Sequence, residues 1–202
     1  MQMPTIDFWI SIGSTYSYLS VMRVEGVAKA RGVRIRWRPF SVRSIMIEQN
    51  NIPFRGKPVK MAYMWRDIER RSAGYGIPAQ LPAPYPLTEF DLANKIAIVG
   101  ETRGWCGAYA QATYRRWFQE GLEAGSEPNL SESLREIGQR PEVVIDEAQS
   151  IEIEVLYRQA TEEAKALGVF GSPSFAVGHE VFWGDDRLDD AIQWALHGRL
   201  IY

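Results

Sequence analysis

Apolar residues run from Ile6 to Ile10, broken only by Asp7, and then give way to a turn of small residues, Ser11 to Thr15. A short apolar run ended by a turn is the pattern of a buried strand. From Ser17 to Arg31 the apolar positions include Leu19, Met22, Val27 and Ala30, which predicts a helix closed by Gly32. Val33 to Trp37 alternates apolar with basic residues, the period of a half-buried strand, and Pro39 ends it. Strand, helix and strand in this order predict a parallel pair with a crossover helix.

Beyond Ser41 the pattern is helical as far as Gly168. Helices are predicted over Lys60 to Ala73, Thr88 to Gly100, Ala108 to Leu122, Leu130 to Ile137 and Glu147 to Leu167. Tyr75 to Pro86 carries Pro78, Pro82, Pro84 and Pro86, and so must be an extended loop. Ser174 to Val177 and Val181 to Trp183 flank Gly178-His179-Glu180, the pattern of an antiparallel hairpin. A last helix places Leu188, Ala191, Ile192, Ala195 and Leu196 on one face, with Asp185 or Asp186 as its cap. The whole order is β-α-β, a helical block, then β-β-α. It predicts an α/β thioredoxin-like fold, formed by residues 1–40 and 168–202, with a large all-helical insertion over 41–167.

With 202 residues, 46% hydrophobic and 24% charged, the chain can bury a sizeable core. A net charge of −2 gives no general pull toward nucleic acid or an anionic membrane. No signal peptide or membrane span is expected, and the expected location is cytoplasmic. The single cysteine, Cys106, excludes an intramolecular disulfide. It and two histidines as far apart as His179 and His197 offer no zinc spacing, so no metal is expected.

Candidate chemistry sits at the first turn. A thioredoxin-like fold engaged in disulfide exchange carries C-x-x-C there, whereas this chain has Ser14-Thr15-Tyr16-Ser17. The Ser14 hydroxyl can donate a hydrogen bond to a bound thiolate. Free N–H groups at a helix start favour an anion beside it. The plain alternative is that Ser14 or Ser17 is an N-cap. In Gly168 to Phe175, Pro173 precedes a strand and is expected to be cis, with the backbone of Ser172 facing the turn and able to pair with an extended peptide ligand. Alternatively it is an ordinary strand-starting proline. In Trp183-Gly184-Asp185-Asp186-Arg187, an aspartate can hold an ammonium and Arg187 a carboxylate, or both aspartates can cap the last helix. The mixed-charge run Arg66 to Arg71 reads as a solvated face, and Cys106 as a packing residue.

Three segments, Ser14 to Leu19, Gly168 to Phe175 and Trp183 to Arg187, together resemble the 2-hydroxychromene-2-carboxylate isomerases and the related kappa-class glutathione transferases. Asn51-Ile52-Pro53, Lys60 to Asp67 and Tyr75 to Pro78 are similar to further motifs of that group. The resemblance implies a DsbA/kappa-type thioredoxin fold, glutathione as cofactor, a small aromatic substrate and a homodimer. The implied activity is isomerisation of a conjugated intermediate of aromatic catabolism by reversible thiolate addition. A kappa-like transferase or a non-catalytic binding module is the alternative.

Carried over by position, Ser14 contacts the glutathione sulfur and is the catalytic residue. Ser172 binds the tripeptide through its backbone ahead of Pro173. Trp183, Gly184, Asp185 and Asp186, with Arg187, hold the γ-glutamyl end. Asn51 and Lys60 line the glutathione cleft, and Arg55 and Tyr85 meet the substrate. Two departures stand out. Thr15 replaces a proline, which frees an N–H and is expected to loosen the turn. Met46 stands where a lysine is expected, which withdraws one contact for a substrate carboxylate.

Overall fold

The structure is a computed structural model and describes residues 3–54 and 56–201. Its sheet has four strands: β1 (Thr5–Ile10), β2 (Arg34–Pro39), β3 (Ser174–Val177) and β4 (Glu180–Trp183), in the order β2-β1-β3-β4. The β1–β2 pair is parallel and the other two pairs are antiparallel. Phe8 lies at the centre, in register with Trp37 on one side and Phe175 on the other. Its ring is 4.9 Å from that of Trp37 and 5.0 Å from that of Phe175.

Ten α-helices are described. They are α1 (Ser17–Val21), α2 (Val24–Ala30), α3 (Val42–Glu48), α4 (Pro58–Tyr75) and α5 (Asp91–Arg103). Then come α6 (Cys106–Gln119), α7 (Asn129–Glu136), α8 (Pro141–Ala148), α9 (Ile151–Leu167) and α10 (Leu188–His197). The hairpin, the parallel pair and the proline-rich loop stand where the pattern puts them. None of the described helices is long and apolar enough to cross a membrane.

Three differences have local causes. The helix expected over Ser17 to Arg31 is two helices, interrupted at Met22 and Arg23. Arg23 leaves helical geometry (φ −125°) and donates to the Asp185 carbonyl at 2.6 Å. The helix expected from Glu147 is also divided: Pro141 opens α8, and the Ser150 hydroxyl, accepting from the Ile153 N–H, starts α9 afresh. Helix α3 was not in the sequence pattern at all. Its cap is Ser41, whose hydroxyl accepts from the Ser44 N–H at 3.2 Å.

Alternation along β1 sends Ile6, Phe8 and Ile10 to one face and Trp9 to the other. The first face joins a large core reaching through Tyr18, Tyr114, Trp117 and Phe118 to Leu134 and Ile153. The second joins a smaller cluster with Phe40, Ile45, Ala164 and Val169. Each buried large apolar side chain contributes about 1.5–3 kcal/mol. The aromatic half of the main core stands directly behind the turn that follows β1.

Candidate active site

The turn after β1 is held from behind by two buried side chains. Asn94 on α5 accepts from the Ile12 N–H at 2.7 Å and donates to the Ile12 carbonyl at 2.9 Å. Tyr114 on α6 donates to the Ser14 carbonyl at 3.0 Å. Gly13 has φ +121°, and a Cβ there would stand 2.9 Å from the Phe90 ring, so both the backbone and the packing require glycine. The turn delivers Ser14 with its hydroxyl donating to the Ser172 carbonyl at 2.6 Å. The Ser172 hydroxyl in turn accepts from the Ser11 N–H at 2.9 Å and lies 2.8 Å from the Ser17 hydroxyl. The Ser172–Pro173 bond is cis, as expected.

Neither Ser14 nor Ser17 caps α1, which has Tyr16 at its N-cap position and no side-chain cap. The capping alternative is therefore excluded. The helix behind the turn has five residues, not the fifteen or so the pattern implied, and the anion-favouring field of a helix start is correspondingly that of about one turn.

Ser14 lines one of two cavities, and Ser172, to which it donates, lines both and so marks their seam. One is an apolar pocket of about 320 Å³, walled by Met46, Phe54, Tyr85, Phe90, Phe170 and Trp183. Within it the Tyr85 ring meets that of Phe54 edge to face at 6.2 Å, and Tyr85 also meets Trp65 of α4 edge to face at 6.0 Å. Asn51, Lys60, Arg43 and Ser172 also line it. The Lys60 ammonium lies 5.7 Å from the centre of the Phe54 ring. Burial raises the Tyr85 phenol above its ordinary range, and the charge of Arg43 opposes that rise. Arg55 lies outside the described residues.

The second cavity is a polar cleft lined by Tyr16, Asp67, Arg71, Ser172 and Pro173 and by the run Trp183 to Arg187. Gly184 (φ +117°) makes the turn out of β4, and its N–H donates to the Pro173 carbonyl at 3.0 Å. Asp185 to Arg187 form a short 3-10 turn. Asp185 and Asp186 do not cap α10, whose first turn holds Asp189 and Asp190 instead. Asp185 is 4% exposed and faces α4, where Arg71 donates to its carboxylate at 2.9 Å. Burial raises the Asp185 carboxyl above its ordinary range, opposed by Arg71. Arg187 lies 2.8 Å from Asp190 and 3.0 Å from Asp186.

The run Arg66 to Arg71 is solvated along one side, where Arg66 pairs with Glu69. Its other side faces the cleft, which corrects the reading of it as a purely solvated face. Besides Arg71, Asp67 accepts from the Tyr16 phenol at 3.1 Å. Burial and that carboxylate hold Tyr16 well above the ordinary tyrosine range.

The profile of the DSBA-like thioredoxin domain matches residues 5–193. The chain belongs to this family. It is 28% identical over 187 residues to the 2-hydroxychromene-2-carboxylate isomerase of Sphingobium xenophagum, covering 92% of this chain and 94% of that protein. It is 25% identical over 201 residues to glutathione S-transferase kappa 2 of Caenorhabditis elegans, covering 91% of this chain and 88% of that one. A solved 2-hydroxychromene-2-carboxylate isomerase superimposes with a TM-score of 0.81 at 26% identity, covering 92% of this chain and 91% of that one.

Within this DSBA-like chain, Cys106 is buried at the start of α6, and burial pushes its thiol well above the usual range. Its place is that of a packing residue. Thr15 does not loosen the turn: its buried hydroxyl donates to the Met64 sulfur at 2.9 Å, pinning the turn to α4. Thus Ser14, Asn51, Lys60, Tyr85, Ser172 and Trp183 gather around the apolar pocket, and Ser172, Pro173 and Trp183 to Arg187 around the cleft. Sequence reasoning missed Arg43, Phe90, Tyr16, Asp67 and Arg71 as members of the site. Only the spacing of Asp67 and Arg71, one helical turn apart, pointed to a common face.

Proposed function

We propose that this chain is a glutathione-dependent isomerase of small conjugated aromatic substrates, the activity that its relatives named 2-hydroxychromene-2-carboxylate isomerase imply. One observation carries the reading: a serine hydroxyl, not a cysteine pair, lines an aromatic-walled pocket and donates to Ser172, where that pocket adjoins a cleft of paired charges. Glutathione is a tripeptide with one ammonium and two carboxylates, and the donor set suits it. Asp185, Asp186 and Asp67 offer acceptors for an ammonium, while Arg71, Arg187 and Lys60 offer donors for carboxylates.

Glutathione held by these residues would supply a thiolate nucleophile, the chemistry that reversible addition to a conjugated carbon requires. Ser14 acts as a hydrogen-bond donor that lowers the energy of anionic sulfur. It is not a nucleophile, because no general base stands beside its hydroxyl: its hydrogen-bond partner is a backbone carbonyl. Asn94 and Tyr114 hold the turn rigid, so that the donor is oriented in advance. The aromatic walls exclude water and strengthen that donor. A kappa-like transferase would use the same residues, a reading favoured by the kappa relative. Product mass separates the two: a conjugate gains the tripeptide and an isomer does not.

The test is calorimetric titration with reduced glutathione, with the ultraviolet band of the thiolate recorded in parallel. Saturable binding is expected, with the thiolate band in the native protein and not in Ser14→Ala. Absence of binding at millimolar glutathione overturns the cofactor assignment.

A further inference from the structure

The charges of the apolar pocket are of one sign. Arg43 and Lys60 line it, and no aspartate or glutamate does. All the carboxylates of the site lie in the neighbouring cleft. Among the described residues Arg43 has no ion-pair partner, whereas in the cleft Arg71 has one and Arg187 has two. Its guanidinium instead lies 4.3 Å from the centre of the Phe90 ring. Phe90 packs against Gly13, next to Ser14 in the chain, so a single ring separates the cation from the turn that presents the serine. Arg43 is also near enough to Tyr85 for its charge to oppose the rise of the phenol. A planar cation on an aromatic face, beside a phenol hydroxyl, is a binding site for a planar anion attached to an aromatic ring.

We propose that Arg43 is a specificity-determining residue: it receives the acid group of an aromatic substrate whose ring fills the pocket between Phe54, Tyr85 and Phe90. The inference rests on the reading of the pocket as the substrate site, and what it adds is the residue that receives the acid group, on the helix where Met46 supplies no charge. Arg43 and Met46 are three residues apart on α3 and both line the pocket, so this helix supplies a charge at position 43 and an apolar surface at 46. Lys60 is the other candidate for this role. It approaches a different ring, Phe54, and its longer 5.7 Å approach leaves it weaker on that ring.

The experiment compares naphthoate with its uncharged methyl ester, each titrated into native protein, Arg43→Met, Arg43→Lys and Lys60→Met, with and without glutathione. Native protein should bind the acid more tightly than the ester. Arg43→Met should lose about tenfold on the acid and little on the ester, a loss equal to roughly 1.4 kcal/mol. Arg43→Lys should recover part of it, because a point charge replaces a planar fork. Equal affinity of native protein for acid and ester, failure to bind either, or equal losses on both in Arg43→Met would overturn the proposal. So would a larger selective loss in Lys60→Met. Failure of the cofactor reading is separately visible: glutathione would not bind, while the contrast between acid and ester would still be read on the protein alone.

Discussion

The two cavities that meet beside Ser14, at Ser172 and Trp183, are built by opposite means. The cleft is polar and its charges are matched: Asp185 by Arg71, and Arg187 by Asp186 and Asp190. The pocket is apolar, is stiffened by the edge-to-face rings of Phe54 and Tyr85, and its Arg43 and Lys60 have no ion-pair partner among the described residues. Matched charges hold each other in place, so the cleft is ordered in advance. Unmatched cations on aromatic faces leave a net positive field, which selects by the sign of the ligand. One cavity is thus suited to a zwitterion and the other to an arene with an acid group.

The sharpest way to break this arrangement is at its seam. Under the proposed reading, Ser14→Ala lowers glutathione-dependent kcat about 10²–10³-fold, the loss typical of one oriented donor. Steady-state turnover with saturating glutathione reads it, and an unchanged rate would remove Ser14 from the mechanism.

Breaking the cleft alone comes next. Arg71→Met leaves the buried Asp185 carboxylate without its ion pair. The outer end of Arg71 is partly solvated, so the loss should be about 2 kcal/mol, below the roughly 3–5 kcal/mol of a fully buried pair. The sign of its pH dependence follows from the raised carboxyl. A folded-state pKa above the unfolded value means that the native state holds its proton longer, so stability from this group falls as pH rises past the ordinary 3.8. Removing Arg71 raises the carboxyl further. Urea denaturation should therefore show the deficit of Arg71→Met in full at neutral pH and shrinking as pH falls toward 4.

Trp183 is a wall common to both cavities. A Cβ on Gly171 would run into its indole, so Gly171→Ala displaces the ring. Trp183 is 56% exposed and can move at small cost to folding. The expected result is a KM for glutathione raised about tenfold with melting temperature nearly unchanged. The smallest effect belongs to Thr15→Val, which removes the tie between the seam and α4. A hydroxyl-to-thioether hydrogen bond is weak, and a loss of about 1 kcal/mol or less is expected in thermal unfolding.

The same contrast explains which parts were legible in the sequence. The strands announce themselves through alternation and through Gly178 and Pro39, and the turns around Ser14 and Pro173 through small residues between them. The break at Arg23 has no glycine or proline to mark it, because its partner Asp185 lies 162 residues away. Helix α3 is seven residues long, too short for its period to register. In the site, Ser14 and Ser172 are visible as turn residues of a strand-rich frame. Arg71 is not, because what distinguishes it from Arg66 and Arg70 is a carboxylate 114 residues further on. Arg43 is hidden for the same reason: only the folded chain places it over Phe90.

The bond from Ser14 to the Ser172 carbonyl has one more consequence. A hydroxyl has a single proton, and here that proton is already engaged by a neutral acceptor at 2.6 Å. An incoming sulfur must out-compete an amide oxygen to claim it. A thiol, a poor acceptor, fails, whereas an anionic sulfur gains a hydrogen bond of roughly twice the neutral strength. Under the proposed function the turn therefore works as a discriminator of protonation state, indifferent to sulfur that keeps its hydrogen and responsive once that hydrogen has gone.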